Sequence, residues 1–346
     1  MKFKYTWITL IVLISLGFII VANLGARNHL PKYVFSRDFK ESKPSFKLIK
    51  GNVKVNNGKY TNVVPSDSCI ISMDINYEVN KPSFMLYLSD LNLNLKETLA
   101  LNIPQYSNIL FVTNEVILYT NSNKFFVYDI IKKTSSVLES EGLRVSSLIR
   151  LSDSNFLMFG ERKNNHRFEA GFFNLNLKRN LEILPVKILE VNQLTRASVN
   201  GLRYSGAFTK SVDKDHILYY CKKYSGIFLF DKNGKFFKDF HTKDHAPLPE
   251  IITSKNGTSY YKRGKTFTGT NAVIMEDNYI KVFSTRSAEK DDIVIDSYST
   301  KNYSYLFSQK LHFDGKNCTD ITSVTAFKDK IIISFDTSLA SFNMSR

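Results

Sequence analysis

This chain is poor in sulfur, poor in proline and short of acid. Its 346 residues include three cysteines, eight prolines and 15 glycines. Cys69, Cys221 and Cys318 are odd in number and far apart, and no C-x-x-C occurs, so neither a dithiol redox motif nor a zinc site is indicated. They read as small buried apolar side chains, or as one disulfide with a free thiol. No G-x-S-x-G is present, which removes the nucleophile elbow of serine hydrolases. Past residue 30 no stretch keeps a 3.6-residue apolar period with caps, and this excludes a helical body. No Gly/Ser-rich or Pro-rich stretch interrupts residues 46–346, which therefore read as one unit.

Acidic residues number 32 against 47 basic ones, for a formal net charge of +15. A nucleic-acid partner would call for basic residues clustered with aromatics on one face. The clusters here are modest: Arg162-Lys163, His166-Arg167 and Lys262-Arg263-Gly264-Lys265. No nucleic-acid partner is expected. The excess reads as solvated surface, or as a patch for an anionic partner or lipid head group.

What the chain does contain begins with a membrane signal. Lys2 and Lys4 precede an uncharged, mostly apolar run from Tyr5 to Val21, the layout of a basic n-region followed by an h-region. The run is near the lower limit for a spanning helix. The cleavage region is poor, because Leu24 occupies the small-residue position before Ala26. Residues 1–26 are read as an uncleaved signal anchor that holds the protein to the membrane through 5–21, with a cleaved and secreted form as the alternative. Lys2 and Lys4 favour a cytoplasmic N-terminus, so the body is expected on the periplasmic or extracellular side of a single-pass protein. Residues 27–45, with Pro31 and Pro44, read as a spacer.

The body is rich in short Ile/Val/Phe/Tyr/Thr runs separated by Asn, Asp, Lys, Ser and Gly, the composition of an all-β fold. Six of these runs end in Asp or Asn: at Asp90, Asp129, Asn174, Asp231, Asp296 and Asn343. A unit returning every ~40–65 residues is the mark of radial β-repeats. Units of strands can be laid out as an outer hairpin at Phe84–Leu88 and Leu93–Ile103, then from Ile109, from Val145, from Leu202, from Thr270 and from Ile321. The Asn233-Gly234 pair is a hairpin signal between the outer strands of the fourth. The last unit has three strands, while Phe46–Val55 is a strand-like stretch with no unit of its own. Pairing the two closes a ring of six and removes exposed edges.

With its exported N-terminus, this pattern resembles the six-bladed β-propellers of the TolB-like and NHL-like kind, including the exported members found in Bacteroidota. The resemblance covers about 300 residues and rests on pattern alone. The chain departs from the WD-repeat pattern, since its single Trp, Trp7, is in no Trp-Asp pair, and it lacks the kelch Gly-Gly pair. The resemblance implies a disc with a central channel and with ligands or partners at one face. It implies no given activity.

The expected function is that of a non-enzymatic binding or protein-interaction module of the cell envelope, with no cofactor, metal or catalytic residue. The candidate contact is the entry to the fourth unit, with Arg196, Arg203 and Tyr204, together with the long connection 243–269, carrying Tyr260, Tyr261, Lys262, Arg263 and Lys265. Arginines there would offer a bidentate fork to an anionic ligand or envelope protein, and long loops on a rigid scaffold are where binding resides. The alternative is a metal-dependent hydrolase. Resemblance to the calcium-dependent lactonases would place Asn200, Asp213, Asn271 and Asp320 around a metal in the channel. A second cluster, Asp213, Asp215 and His216 with His241, Asp244 and His245, reads as loop residues.

Overall fold

In the computed structural model the description covers residues 15–17, 35–40, 46–54, 62–65, 70–75 and 84–90, and then 92–344 apart from short stretches, the longest of them 194–200 and 286–291. Of the expected membrane segment only 15–17, a helical turn, are described. No helix among the described residues is long and apolar enough to cross a membrane.

The body is a six-bladed β-propeller. Blade 1 holds β2 (Asn62–Pro65), β3 (Ile70–Ile75), β4 (Phe84–Ser89) and β5 (Leu95–Leu101). Blade 2 holds β6 (Asn108–Val112), β7 (Val116–Asn121), β8 (Lys124–Asp129) and β9 (Thr134–Leu138). Blade 3 follows with β10 (Leu143–Arg150), β11 (Asn155–Asn164), β12 (Arg167–Asn176) and β13 (Glu182–Gln193). Blade 4 consists of β14 (Gly206–Lys210), β15 (His216–Cys221), β16 (Gly226–Asp231) and β17 (Phe236–His241). After a two-stranded hairpin, β18 (Ile251–Thr253) and β19 (Ser259–Tyr261), blade 5 runs through β20 (Thr270–Met275), β21 (Tyr279–Ser284), β22 (Asp292–Ser299) and β23 (Tyr305–His312). Blade 6 has β24 (Ile321–Phe327), β25 (Lys330–Phe335) and β26 (Ser338–Met344), and its fourth strand is β1 (Phe46–Lys54). That strand pairs antiparallel with β26, from Phe46 against Met344 to Lys54 against Ser338. The ring therefore closes as expected, with the chain's first strand completing its last blade.

The apolar runs follow from this architecture. A strand in the middle of a blade has a neighbouring blade on each face, so both sets of alternating side chains are buried. In β15, Ile217, Tyr219 and Cys221 pack toward blade 3 against Leu157, Phe159 and Phe172. Leu218 and Tyr220 pack toward blade 5 against Val273, Met275 and Ile280. The ring of Phe172 meets Phe159, Tyr219, Phe228 and Phe230 at centroid distances of 4.8–5.4 Å. Each such ring contributes roughly 1.5–3 kcal/mol by burial. The seam between blades 3 and 4 is thus a rigid wall, and the candidate site stands at its end.

Four local expectations are corrected. The Asp/Asn residues do not all end strands: Asp90, Asp129 and Asp231 accept backbone N–H groups of the following turn, but Asn174 and Asp296 lie inside β12 and β22, and Asn343 pairs within β26. The fourth unit, expected from Leu202, has its first strand start instead at Gly206, because residues 201–203 form a helical turn. A Cβ on Gly206 would collide with the Tyr220 carbonyl, so this entry needs glycine. The inner strands of blade 1, β2 and β3, carry too short an apolar signal to have been assigned. Finally, part of the spacer is docked. Residues 35–40 run parallel to β23, with the Lys40 N–H donating to the Ser308 carbonyl (3.1 Å) and the Ser308 N–H to the Asp38 carbonyl (2.8 Å). Arg37 reaches in from this strap, forking onto Asp296 at 2.9 and 3.1 Å, and both side chains are nearly buried, 5% and 3% exposed.

Candidate functional site

Because each blade is an antiparallel meander, the connections between blades and the turns between second and third strands leave at the same end of the disc. Around blade 4 these segments are stitched together. The Lys222 N–H donates to the Ser205 carbonyl (2.9 Å), the Gly269 N–H to the Lys222 carbonyl (2.8 Å), and the Ser225 N–H to the Ala246 carbonyl (3.2 Å). The β15–β16 turn is thereby clamped between the entries to blades 4 and 5.

The expected long loop is not irregular throughout. Ile251, Ile252 and Thr253 pair with Tyr261, Tyr260 and Ser259. Successive residues of a strand point to opposite faces, so Tyr260 and Tyr261 part company. Tyr261 turns inward and donates its hydroxyl to the Leu202 carbonyl at 2.8 Å, and burial raises its pKa. Tyr260 is 49% exposed. Lys262 pairs with Glu250 at 2.6 Å, and Arg263 is exposed on the following turn.

Arg203 and Tyr204 are brought together, on an internal acid. The Arg203 guanidinium lies 3.3 Å from both oxygens of Glu190, and the Tyr204 hydroxyl donates to Glu190 at 3.2 Å. Burial first, and then the Glu190 charge, push the Tyr204 phenol well up. The Tyr204 carbonyl accepts from the Tyr219 hydroxyl (2.7 Å) and from the Cys221 thiol (3.6 Å). Arg203 is therefore held as a positioned strut, with one terminal nitrogen committed to Glu190 from within the chain. Arg196 and Lys265 lie outside the described residues.

Two cations that residue-type reasoning passed over stand at the centre of this end. Lys222 is partly buried, and no carboxylate partners its ammonium among the described residues. Lys223 lies with its ammonium 4.2 Å from the centroid of the Tyr261 ring. Burial lowers the pKa of both lysines, and for Lys222 the neighbouring Lys223 charge lowers it further. The available signal was the doublet itself, placed where the apolar run His216–Cys221 breaks into a turn. Nearby, Glu161 of β11 is 3% exposed. It accepts the Gly201 N–H at 3.3 Å and lies 3.7 Å from Arg144. Burial pushes its carboxyl up to about 7 against these two weaker pulls.

The positions considered for a metal do not converge. Asn271 opens β20 and donates to the Cys318 carbonyl, near Asp320 at the entry to blade 6. Asp213 lies in the β14–β15 turn at the other end, where the Val212 N–H meets the Met275 carbonyl. Four strand residues separate Asn271 from that end, about 13 Å. Asn200 is outside the described residues. The second cluster is split likewise: Asp213, Asp215 and His216 are at the far end, while His241 closes β17 beside Ser225 (3.1 Å) and Tyr224 (3.4 Å). His241 is therefore a strand residue, not the loop residue expected. Cys221 and Cys318 are buried free thiols, and burial pushes Cys318 up to about 12. Cys69 is outside the described residues.

No family model matches the sequence, and no curated protein does either. Among solved structures, a member of the DUF4221 family from Bacteroides vulgatus superposes with a TM-score of 0.49 at 10% identity, over 87% of this chain and 97% of that one. Virginiamycin B lyase from Staphylococcus aureus gives 0.42 at 10% identity, over 87% and all of that chain. The β-propeller domain of Cps50 (Swd1) from Myceliophteria thermophila gives 0.42 at 9%, again over 87% and all of that chain. At such identities these are likenesses of fold.

Proposed function

We propose that this protein is a membrane-anchored, exported β-propeller that acts as a non-enzymatic binding module of the cell envelope. Its contact surface is the end of blade 4 and the β18–β19 hairpin, and its partner is an anionic ligand or an acidic envelope protein. The observation that carries this reading is the gathering of Lys222, Lys223, Arg263 and the aromatic hairpin at one end of a rigid disc. The three cations have no carboxylate partner among the described residues, whereas Arg203 and Lys262 do. A fixed, uncompensated positive patch favours anionic partners and speeds their encounter. The anchor and the export of the body rest on Lys2, Lys4 and the apolar run 5–21.

The test is in-cell crosslinking of the full chain, with protease accessibility to locate the body. A Lys223→Ala, Arg263→Ala variant should lose its crosslinked partner, while Arg203→Ala should keep it. A partner captured equally by all three proteins, or a body shielded from external protease in spheroplasts, would overturn the reading.

A further inference from the structure

We propose that Lys222 and Lys223 form the seat of a tetrahedral oxyanion, the phosphate group of a small phosphate ester, at the mouth between blades 4 and 5. This deepens the reading above and rests on it for the choice of face.

The argument starts from the backbone. Lys222 is held on both sides, its N–H by Ser205 and its carbonyl by Gly269, so the stem of the side chain starts from a fixed point between two blade entries. Three tyrosine hydroxyls of the adjoining segments are already spent. The Tyr261 hydroxyl is given to Leu202, the Tyr219 hydroxyl to Tyr204, and the Tyr220 hydroxyl to the Asn271 carbonyl at 3.1 Å. Of the acids at this end, Glu190 is taken by Arg203 and Tyr204, and Glu161 accepts the Gly201 N–H and lies beside Arg144. Two ammonium groups remain, each with three donors, and no acceptor for either among the described residues. Withdrawing a lysine from water beside a second lysine, without an anion, is unfavourable. Burial and mutual repulsion lower the pKa of Lys222 accordingly. Such a charge is retained where a ligand supplies what the chain does not.

The donor set selects the ligand. Arginine's planar fork suits a carboxylate in two-point contact, and here Arg203 is already committed to Glu190 through one terminal nitrogen. Two compact ammonium charges with freely rotating donors suit the several oxygens and higher charge of a phosphate. The Tyr261 ring, already against Lys223 at 4.2 Å, holds that ammonium in place. Partial burial of Lys222 favours a small ester over a flat lipid surface.

The experiment is calorimetric titration of the full-length protein in neutral detergent with inorganic phosphate and with glycerol 1-phosphate, and sedimentation with phosphatidylglycerol vesicles. Both soluble probes should bind at one site, and Lys222→Met should weaken them about tenfold or more. Lys223→Met should do so as well, which keeps the test valid where Lys222→Met fails to fold. Arg203→Ala should leave binding unchanged. Wild-type protein that binds neither soluble probe, or binding unaffected by Lys223→Met, overturns the proposal. Binding to vesicles alone assigns the phosphate to a lipid head group and overturns the small-ester source. The two readings separate cleanly: phosphate binding with no crosslinked partner would sink the interaction module and keep the seat, and partner capture without phosphate binding would do the reverse.

Discussion

Asp231 of blade 4 and Asp296 of blade 5 follow the same local sequence, an apolar pair and then aspartate, and they do opposite things. Asp231 ends β16 at an exposed turn. Its carboxylate accepts the N–H groups of Asn233 and Lys235, both at 2.9 Å, and Gly234 with φ +80° lets the chain reverse. Asp296 sits inside β22, where it is paired with Val282 on one side and Ser308 on the other. There the neighbouring amides are consumed by the ladder, so a carboxylate finds no N–H to accept. It takes instead the Ser308 hydroxyl (2.6 Å) and the fork of Arg37, brought from 259 residues away. A strand end supplies its own donors; a strand interior has to import a cation.

The largest effect is therefore expected on removing the imported charge. Arg37→Met leaves a carboxylate nearly buried and unpaired, at a cost of about 3–5 kcal/mol. Equilibrium denaturation measures it. The double variant Arg37→Met, Asp296→Val should recover most of that loss, because an apolar pair of similar volume needs no compensation. A chain begun after residue 40 should unfold like Arg37→Met. If Arg37→Met melts like the wild type, the strap carries no structural load.

Glu161 is the intermediate case, buried like Asp296 but served, among the described residues, by one N–H and by Arg144 at 3.7 Å. Its folded pKa of about 7 lies above the ordinary 4.5. The unfolded chain therefore releases this proton first as pH rises. The stability tied to it is fully present below pH 4.5 and is lost as pH passes through 7, on the order of 3 kcal/mol in all. Glu161→Gln should match the wild type at the acid end and melt higher above neutrality. Identical slopes for the two proteins would show that Arg144 already holds the carboxylate ionised.

The contrast also marks what can be read from the chain. Ring closure was legible, because a three-strand last unit and an unassigned first strand at 46 are both visible as apolar runs. The Asn233-Gly234 turn was legible because it is local chemistry. Asp296 was not, since its position in mid-strand depends on β22 running on to Ser299, and its partner lies in a stretch that reads as spacer. The site shows the same division. Loop length is what points to the entry to blade 4 and the 243–269 connection as the proposed contact. The pairing of Arg203 with Glu190, and the lack of a carboxylate for Lys222 among the described residues, depend on side-chain geometry between blades, which no local pattern encodes.

The smallest effect belongs to Asp231. Asp231→Ala removes two exposed hydrogen bonds, but the Gly234 N–H still donates to the Asp231 carbonyl at 2.9 Å. The apolar pair Leu229 and Phe230 stays fully buried. A cost of about 1 kcal/mol follows, as for the loss of a helix cap, and Asp231→Asn should cost less, because its amide oxygen can accept the same two N–H groups. Water can replace the lost acceptor at this exposed turn, whereas the mid-strand carboxylate is almost wholly buried. A penalty for Asp231→Ala as large as that for Arg37→Met would mean that the turn nucleates blade 4, and the distinction between the two aspartates would then lie in folding order and not in burial.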